Sequence, residues 1–85
     1  MAKVTLRYWA AAKDAAGTGE QIVAADTLAE ALAQAGDERV RDQLVRVLRR
    51  SSFLVDGDPV GHRAAETVPL TDGAVIEVLP PFAGG

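Results

Sequence analysis

The sequence contains no cysteine, which excludes disulfide bonds, thiolate metal sites and a cysteine nucleophile. Its single histidine, His62, lies between a glycine and an arginine in a polar stretch, whereas a zinc site needs at least three protein ligands. Ser51 and Ser52 have no histidine at a useful position, and the glycines form no phosphate-loop or dinucleotide-binding pattern. We therefore expect no bound metal and no autonomous enzyme.

Long apolar runs are also missing. The apolar stretches are only a few residues long, far below the roughly 20 residues that a membrane-spanning helix requires. The first residues do not combine a basic start with an apolar segment, so they do not resemble a secretion signal. These features predict a cytoplasmic protein without a membrane partner.

Positive charge is scarce. Nine lysines and arginines stand against twelve aspartates and glutamates, for a formal net charge of −3, and this balance argues against nucleic-acid binding. A basic partner surface is the more natural complement. The 85 residues are enough for one domain with a modest core, and an apolar content of 48% is too high for intrinsic disorder.

The first third of the chain predicts a hairpin. Residues 3–9 alternate between polar and apolar side chains, a pattern typical of a half-buried strand. Residues 10–16 are rich in alanine and favour a short helical turn, which the glycines at 17 and 19 break. Residues 20–24 are expected to return as the second strand. The predicted buried face of the first strand consists of Val4, Leu6 and Tyr8.

Two helices are predicted next. Thr27 and Glu30 have the spacing of a capping box at a helix start, and Gly36 can end that helix. Asp37 can cap a second helix. The expected buried residues are Leu28, Ala31, Leu32 and Ala35 in the first helix, and Val40, Leu44, Val47 and Leu48 in the second.

Three arginines crowd the C-terminal end of the second predicted helix. They are Arg46, Arg49 and Arg50, and the helix dipole favours cations at that end. We interpret them first as a solvated, dipole-matched helix end. A partner-binding site is the alternative interpretation.

The last third predicts two or three further strands. Residues 53–55 read as a buried strand, and Asp56-Gly57 is a strong tight-turn signal. Residues 74–79 form the last predicted strand, which Pro80-Pro81 must end because proline cannot donate to a β-ladder. Asp72 lies in another predicted turn, where aspartate is common for backbone reasons. The order of strands and helices predicts an α+β protein with a mixed sheet and helices on one face, which fits a ubiquitin-like β-grasp fold over residues 1–85.

The segment after the prolines is the remaining candidate for chemistry. Residues 80–85 span about 20 Å when extended, and Gly84 and Gly85 lack Cβ atoms, so they can enter a narrow channel. We expect this tail to be flexible in the free protein. The carboxylate of Gly85 could be activated as a mixed anhydride, for example with AMP, and then receive sulfur as a thiocarboxylate. An incidental frayed end is the alternative.

Several motifs along the whole chain are shared with a known family. They are Lys3-Val4, Trp9-Ala10 with Lys13 and Gly17, Thr27-Leu28-Ala29-Glu30, Leu70-Thr71-Asp72-Gly73, Val75-Ile76-Glu77-Val78 and Leu79-Pro80-Pro81-Phe82-Ala83-Gly84-Gly85. In these motifs the sequence resembles the MoaD/ThiS family of β-grasp sulfur carriers. The double proline before Gly-Gly is typical of the family's molybdopterin branch.

This resemblance implies a function. An ATP-dependent activating enzyme would adenylate Gly85, the glycine would become a thiocarboxylate, and the tail would enter the large subunit of molybdopterin synthase. There the sulfur would pass to cyclic pyranopterin monophosphate. The chain itself would bind no cofactor, because the activating enzyme uses the ATP.

The resemblance also implies an apolar docking surface. Its residues would be Trp9, Pro59, Leu79 and Phe82, with Lys13 at the rim. Trp9 belongs to the face of the first strand opposite its buried residues, although it could instead cover an edge of the core. Pro59 departs from the family, whose members often carry an aliphatic residue at this position.

Three alternatives remain open at this point. The protein could carry sulfur for another pathway, such as thiamine, cysteine or natural-product synthesis. It could be a protein modifier that joins Gly85 to lysines of other proteins. It could also be a plain binding module.

Overall fold

Strands and helices alternate along the chain in the computed structural model, which describes residues 1–81. The elements are β1 (Lys3–Tyr8), α1 (Ala10–Ala16), β2 (Glu20–Ala24), α2 (Leu28–Ala33), α3 (Arg41–Leu48), β3 (Ser52–Val55), β4 (Asp58–Pro59), a short 3-10 helix (Ala65–Thr67) and β5 (Val75–Leu79). No helix within residues 1–81 is long and apolar enough to cross a bilayer.

The strands form one mixed sheet in the order β2-β1-β5-β3-β4. β1 is parallel to β5, whereas the pairs β1–β2, β3–β5 and β3–β4 are antiparallel. A parallel pair needs a long crossover connection, and the segment that contains α2 and α3 supplies it. The structure confirms the predicted α+β β-grasp fold.

The helices cover one face of the sheet, here called the inner face. Alternate strand residues bury their side chains there because successive residues of a strand point to opposite faces. The largest fully buried side chains are Val4, Leu6, Tyr8, Leu28, Leu44, Ile76 and Val78. Full burial of one such aliphatic side chain contributes about 1.5–3 kcal/mol, so this layer supplies the stability of the domain.

The start of α2 has the predicted cap. The backbone N–H of Glu30 donates to Oγ1 of Thr27 at 3.2 Å, and Oε1 of Glu30 accepts from the backbone N–H of Thr27 at 3.1 Å. Both halves of the capping box are therefore present. A cap of this kind is worth about 1 kcal/mol.

Two predicted helix boundaries were wrong. α2 ends at Ala33 rather than at Gly36, because the last turn tightens: the backbone N–H groups of Gln34 and Ala35 donate three residues back, to the carbonyl oxygens of Ala31 and Leu32. The side-chain amide of Gln34 also donates to the carbonyl oxygen of Ala24 in β2 at 2.6 Å. Asp37 caps a turn rather than α3 itself: its Oδ1 accepts from the backbone N–H of Arg39 at 3.0 Å, and α3 begins only at Arg41.

The predicted turns are confirmed. Asp56 and Gly57 both have positive φ, 50° and 86°, as a two-residue type I′ hairpin turn requires. Oδ1 of Asp56 accepts from the backbone N–H of Val75 at 2.9 Å. Oδ1 of Asp72 accepts from the backbone N–H of Lys3 at 2.8 Å. These aspartates therefore have structural roles that join distant segments.

One polar network reaches the inner face. The hydroxyl of Tyr8 donates to Oε1 of Gln21 at 2.7 Å, and the same oxygen accepts from the backbone N–H of Gly36 at 2.8 Å. Nε2 of Gln21 donates to the carbonyl oxygen of Gln34 at 2.9 Å. Burial raises the pKa of Tyr8 to about 12, so its hydroxyl stays protonated and acts as a fixed donor.

Candidate functional site

The site is built where β1 and β5 finish side by side. Tyr8 pairs with Val78 in the parallel ladder, and the backbone N–H of Trp9 donates to the carbonyl oxygen of Val78 at 3.2 Å. β1 and β5 therefore end side by side, with Trp9 following β1 and Pro80 following Leu79, the last residue of β5. We call this region the exit end, because the tail begins there.

Trp9 lies outside the core. Its side chain is 46% exposed, and its indole Nε1–H donates to Oε1 of Glu77 at 3.2 Å on the uncovered face of the sheet, the outer face. The backbone of Trp9 is extended and begins α1, and Ala10 takes a positive φ of 48°. The exposure of Trp9 and its hydrogen bond to Glu77 favour the outer face for the indole, and substitution of Trp9 decides whether it also covers an edge of the core.

Strand register brings the other apolar candidates to the same outer face. Glu77 pairs with Leu54, and Leu54 pairs with Pro59, so the three lie in one row across the sheet. Leu79 pairs with Ser52 in the adjacent part of the ladder. Neighbouring strands are about 4.8 Å apart. Trp9, Leu54 and Leu79 therefore lie around Glu77, and Pro59 lies one strand beyond Leu54. We call these four apolar residues the apolar patch.

Leu54 and Glu77 were not among the predicted site residues. The signal was present, because Leu54 alternates with Phe53 and Val55, which pack against the core, and must therefore point outward. Glu77 alternates in the same way with the buried Ile76 and Val78. The prediction that residues 53–55 are all buried missed this alternation.

Lys13 lies at the edge of this region. It is exposed on α1, one turn after Trp9, whose carbonyl oxygen accepts from the backbone N–H of Lys13 at 3.3 Å. Its side-chain stem passes over Gly19, where an added Cβ would lie 3.7 Å from Lys13 Cε. The ammonium group is thus beside the start of β2, at the rim rather than within the apolar patch.

The loop behind Pro59 is fixed by an arginine. Nη2 of Arg63 donates to the carbonyl oxygen of Pro59, and its Nε donates to that of Val60, both at 3.1 Å. His62 is exposed in the same loop, as expected for a surface histidine. In residues 1–81 the histidine and acidic side chains form no group of three that could hold a metal ion.

The tail candidates Phe82, Gly84 and Gly85 lie outside the described residues. The structure places their attachment point: Pro80 is half-buried beside the end of β5, and Pro81 is exposed. Whatever receives the tail must therefore approach the exit end.

Fold and site together define a ubiquitin-like β-grasp protein with its exposed apolar patch beside the root of the C-terminal segment. The sequence model of the ThiS family matches residues 6–85, nearly the whole sequence and including Gly84 and Gly85. The chain therefore belongs to the ThiS family.

Solved structures show the same fold at low sequence identity. The small archaeal modifier protein 1 from Methanosarcina acetivorans is 21% identical, with a TM-score of 0.81 over 100% of this chain and 98% of that chain. The modifier protein 1 from Haloferax volcanii is 22% identical, with a TM-score of 0.76 over 98% and 99% of the two chains.

A third similar structure comes from a complex. It is the protein–protein complex of subunits 1 and 2 of the molybdopterin-converting factor from Helicobacter pylori, with 24% identity and a TM-score of 0.70 over 98% of this chain and 99% of that chain. No curated protein sequence matches the chain.

Proposed function

We propose that this protein is the small, sulfur-carrying subunit of molybdopterin synthase, with the carboxylate of Gly85 as its reactive group. The observation that carries the proposal is a family match that extends through Gly85, on a chain whose apolar patch lies beside the root of that tail. The Pro80-Pro81 pair at this root supports the molybdopterin branch.

The chemistry begins at Gly85. Its carboxylate attacks the α-phosphorus of ATP in the activating enzyme, which forms an acyl-adenylate and releases pyrophosphate. A sulfide-level donor then displaces AMP and leaves a thiocarboxylate. In the large subunit, the thiocarboxylate sulfur is transferred to cyclic pyranopterin monophosphate, and water restores the carboxylate. The chain provides no cysteine for these steps, so the sulfur is held by the tail itself.

The folded body contributes docking. Trp9, Leu54, Pro59 and Leu79 present apolar surface beside the tail root, and Phe82 follows in the chain. An apolar anchor at this position orients the tail, because residues 80–85 can reach only about 20 Å from the body. Lys13 adds a positive charge at the rim. The activating enzyme and the large subunit would use this surface in turn, in the cytoplasm.

Two other functions use the same tail. A protein modifier would pass the activated Gly85 to lysines of other proteins, and the fold is shared with the archaeal modifier proteins. A sulfur carrier for thiamine, cysteine or a natural product would differ only in the acceptor of the sulfur. The activated acyl-adenylate is common to all three functions, so only its products distinguish them.

The test is the intact mass of the full chain after incubation with an activating enzyme, ATP and a sulfide donor. Replacement of one oxygen by sulfur supports the carrier, whereas a ladder of conjugates supports the modifier. An unchanged mass contradicts both. Adding the large subunit and cyclic pyranopterin monophosphate to the thiocarboxylated chain should then yield molybdopterin. A thiocarboxylate that forms but gives no molybdopterin would redirect the assignment to another sulfur pathway.

A further inference from the structure

The arginines at the end of α3 form the densest positive region of the chain. Arg46, Arg49 and Arg50 are all exposed, and residues 43–55 contain no acidic side chain. The chain as a whole has a net charge of −3. This arginine cluster, consisting of these three residues, is therefore a local reversal of the overall sign.

The ion pairs within residues 1–81 do not involve the arginine cluster. The ion pairs described there join Arg7 to Glu20 and Arg39 to Asp37. The last carbonyl groups of α3 are satisfied by other donors: the hydroxyl of Ser51 donates to the carbonyl oxygen of Val47 at 2.7 Å, and backbone N–H groups donate to those of Val45 and Val47. A helix dipole favours a cation at this end but does not need three.

The cluster lies at the exit end. Arg50 is two residues before Ser52, which pairs with Leu79 in the β3–β5 ladder. Two residues cover at most about 7 Å, and paired strands are about 4.8 Å apart. The Cα atom of Arg50 is therefore within about 12 Å of that of Leu79. Arg46 is one helical turn further, about 5.4 Å.

We propose that the arginine cluster binds a carboxylate-rich surface of the activating enzyme, next to the channel that receives the tail. This inference rests on the proposed function, and it names the chemistry of the partner. Residues 80–85 reach only about 20 Å, so an enzyme that holds Gly85 must face the exit end and hence the cluster. The guanidinium groups pair with carboxylates and speed a correctly oriented encounter.

The partner chemistry follows from the sign of the charges. An acidic enzyme surface repels this acidic chain as a whole and attracts most strongly the end that carries the arginine cluster. The pair would therefore select one orientation, with the tail toward the channel. The apolar patch orients the tail only once the two surfaces touch, whereas the charges act before contact and steer the approach.

The experiment compares two double variants of the full chain with the same change in net charge. Arg49→Glu with Arg50→Glu reverses the cluster. Lys3→Glu with Arg39→Glu is the control, since Lys3 begins β1 and Arg39 precedes α3, both away from the exit end. Adenylation is followed by ATP–pyrophosphate exchange with the activating enzyme, at low and high salt. Circular dichroism confirms that both variants are folded.

The cluster variant should raise the KM for the chain at least about tenfold at low salt, with kcat and the KM for ATP within about twofold. High salt should shrink the difference, because exposed charges are screened. The control should change the KM less than about twofold. Equal KM values in both variants, or an altered KM for ATP, would overturn the inference while leaving the proposed function intact. A wild-type chain that gives no exchange contradicts the proposed function itself, and this inference with it.

Discussion

The two faces of the sheet differ in how far they bury their apolar side chains. On the inner face, strand residues such as Val4, Leu6 and Ile76 are fully buried under the helices. On the outer face, Trp9 and Ile22 remain 46% and 62% exposed, and charged side chains such as Arg7 and Glu20 pair at the surface. The inner face makes the domain stable, and the outer face leaves apolar area that folding does not use.

Because the two faces differ in this way, stability and function should be separable in this protein. Substitutions at the exit end should change transfer or binding without unfolding the domain. Substitutions on the inner face should do the reverse. A variant at the exit end that unfolds the domain, or one on the inner face that impairs transfer in the folded protein, would show where this separation fails.

The largest effect is expected from deleting Gly85. The deletion draws the carboxylate back by about 3.5 Å, and a misplacement near 1 Å can cost about a hundredfold in rate. Adenylation or sulfur transfer should therefore fall at least about a hundredfold. Thermal unfolding should be unchanged, because the core residues of the described part of the chain lie between Val4 and Val78. Gly85→Ala keeps the length of the tail and adds a Cβ. It therefore distinguishes a requirement for tail length from a requirement for a residue without a side chain. Full activity in the deletion variant would contradict both the carrier and the modifier.

The next effect is expected at Trp9. Trp9→Ala should weaken binding to the large subunit of molybdopterin synthase by about 2 kcal/mol or more, as buried aromatic anchors do. Isothermal titration calorimetry measures this loss directly. The fold should survive, because Val4, Leu6 and Tyr8 keep the inner face of β1.

Ile22 provides the matched control for Trp9. It is also large, apolar and exposed, but it pairs with Thr5 on the outer face, away from the exit end. Ile22→Ala should change binding by less than about 0.5 kcal/mol. If Trp9→Ala binds normally but unfolds more easily, Trp9 belongs to the core and the outer face has been misassigned.

Local sequence signals predicted most of the fold. The capping box at Thr27, the Asp56-Gly57 turn and the period-two alternation of β1 each depend on neighbours in the chain, so the sequence shows them directly. The boundary of α2 could not be predicted in this way. The last turn of α2 tightens before Gly36, where Gln34 is held against Ala24 of β2, and no local pattern shows that tertiary contact.

The candidate site likewise contains one part that local sequence shows and one part that depends on tertiary structure. Gly84, Gly85 and the proline pair are legible in the sequence because they are contiguous. The apolar patch is not, since Trp9, Leu54 and Glu77 meet only through the register of three strands. The family resemblance supplied Trp9, Pro59 and Leu79, whereas only the strand pairing placed Leu54 among them.

Among substitutions that test the inner face, Gly36→Ala should strongly lower the free energy of unfolding. Its φ is +74°, and an added Cβ would lie 2.8 Å from Leu44 Cδ2 and 3.0 Å from Val40 Cγ2. Leu44 is fully buried and has little room to move. Gly36→Ala should therefore lower the free energy of unfolding by about 2 kcal/mol, from left-handed strain and overpacking together.

Substitution of Gly57 measures the cost of left-handed backbone strain without a steric clash. Its φ is +86°, but nothing lies within 4 Å of an added Cβ. Gly57→Ala should cost about 1 kcal/mol, as left-handed backbone alone does. Urea unfolding measures both variants, and equal losses would show that Leu44 relaxes away from the added methyl group. Neither variant should alter adenylation while it is folded.

A modest effect on stability at neutral pH is expected at Tyr8, the polar contact of the inner face. Tyr8→Phe removes the hydrogen bond to Gln21, whose Oε1 still accepts from the backbone N–H of Gly36. Because that oxygen keeps a partner, the loss in unfolding free energy at neutral pH should be about 1 kcal/mol. Equilibrium urea unfolding at pH 7 gives this difference.

At high pH the Tyr8 hydroxyl should lower the stability of the folded protein, whereas at neutral pH it raises it. Burial raises the pKa of Tyr8 from 10.0 to about 12 in the folded protein. Above pH 10 the unfolded chain releases this proton while the folded chain retains it, so ionisation stabilises the unfolded state and stability falls as the pH rises from 10 to 12. Tyr8→Phe lacks this loss, which amounts to about 2 kcal/mol by pH 12, whereas the lysines titrate alike in both proteins and cancel. The wild type should therefore be the more stable protein at pH 7 and the less stable one near pH 12. Parallel stability curves over this range would show that the Tyr8 hydroxyl reaches solvent, and that the inner face is open where the structure closes it.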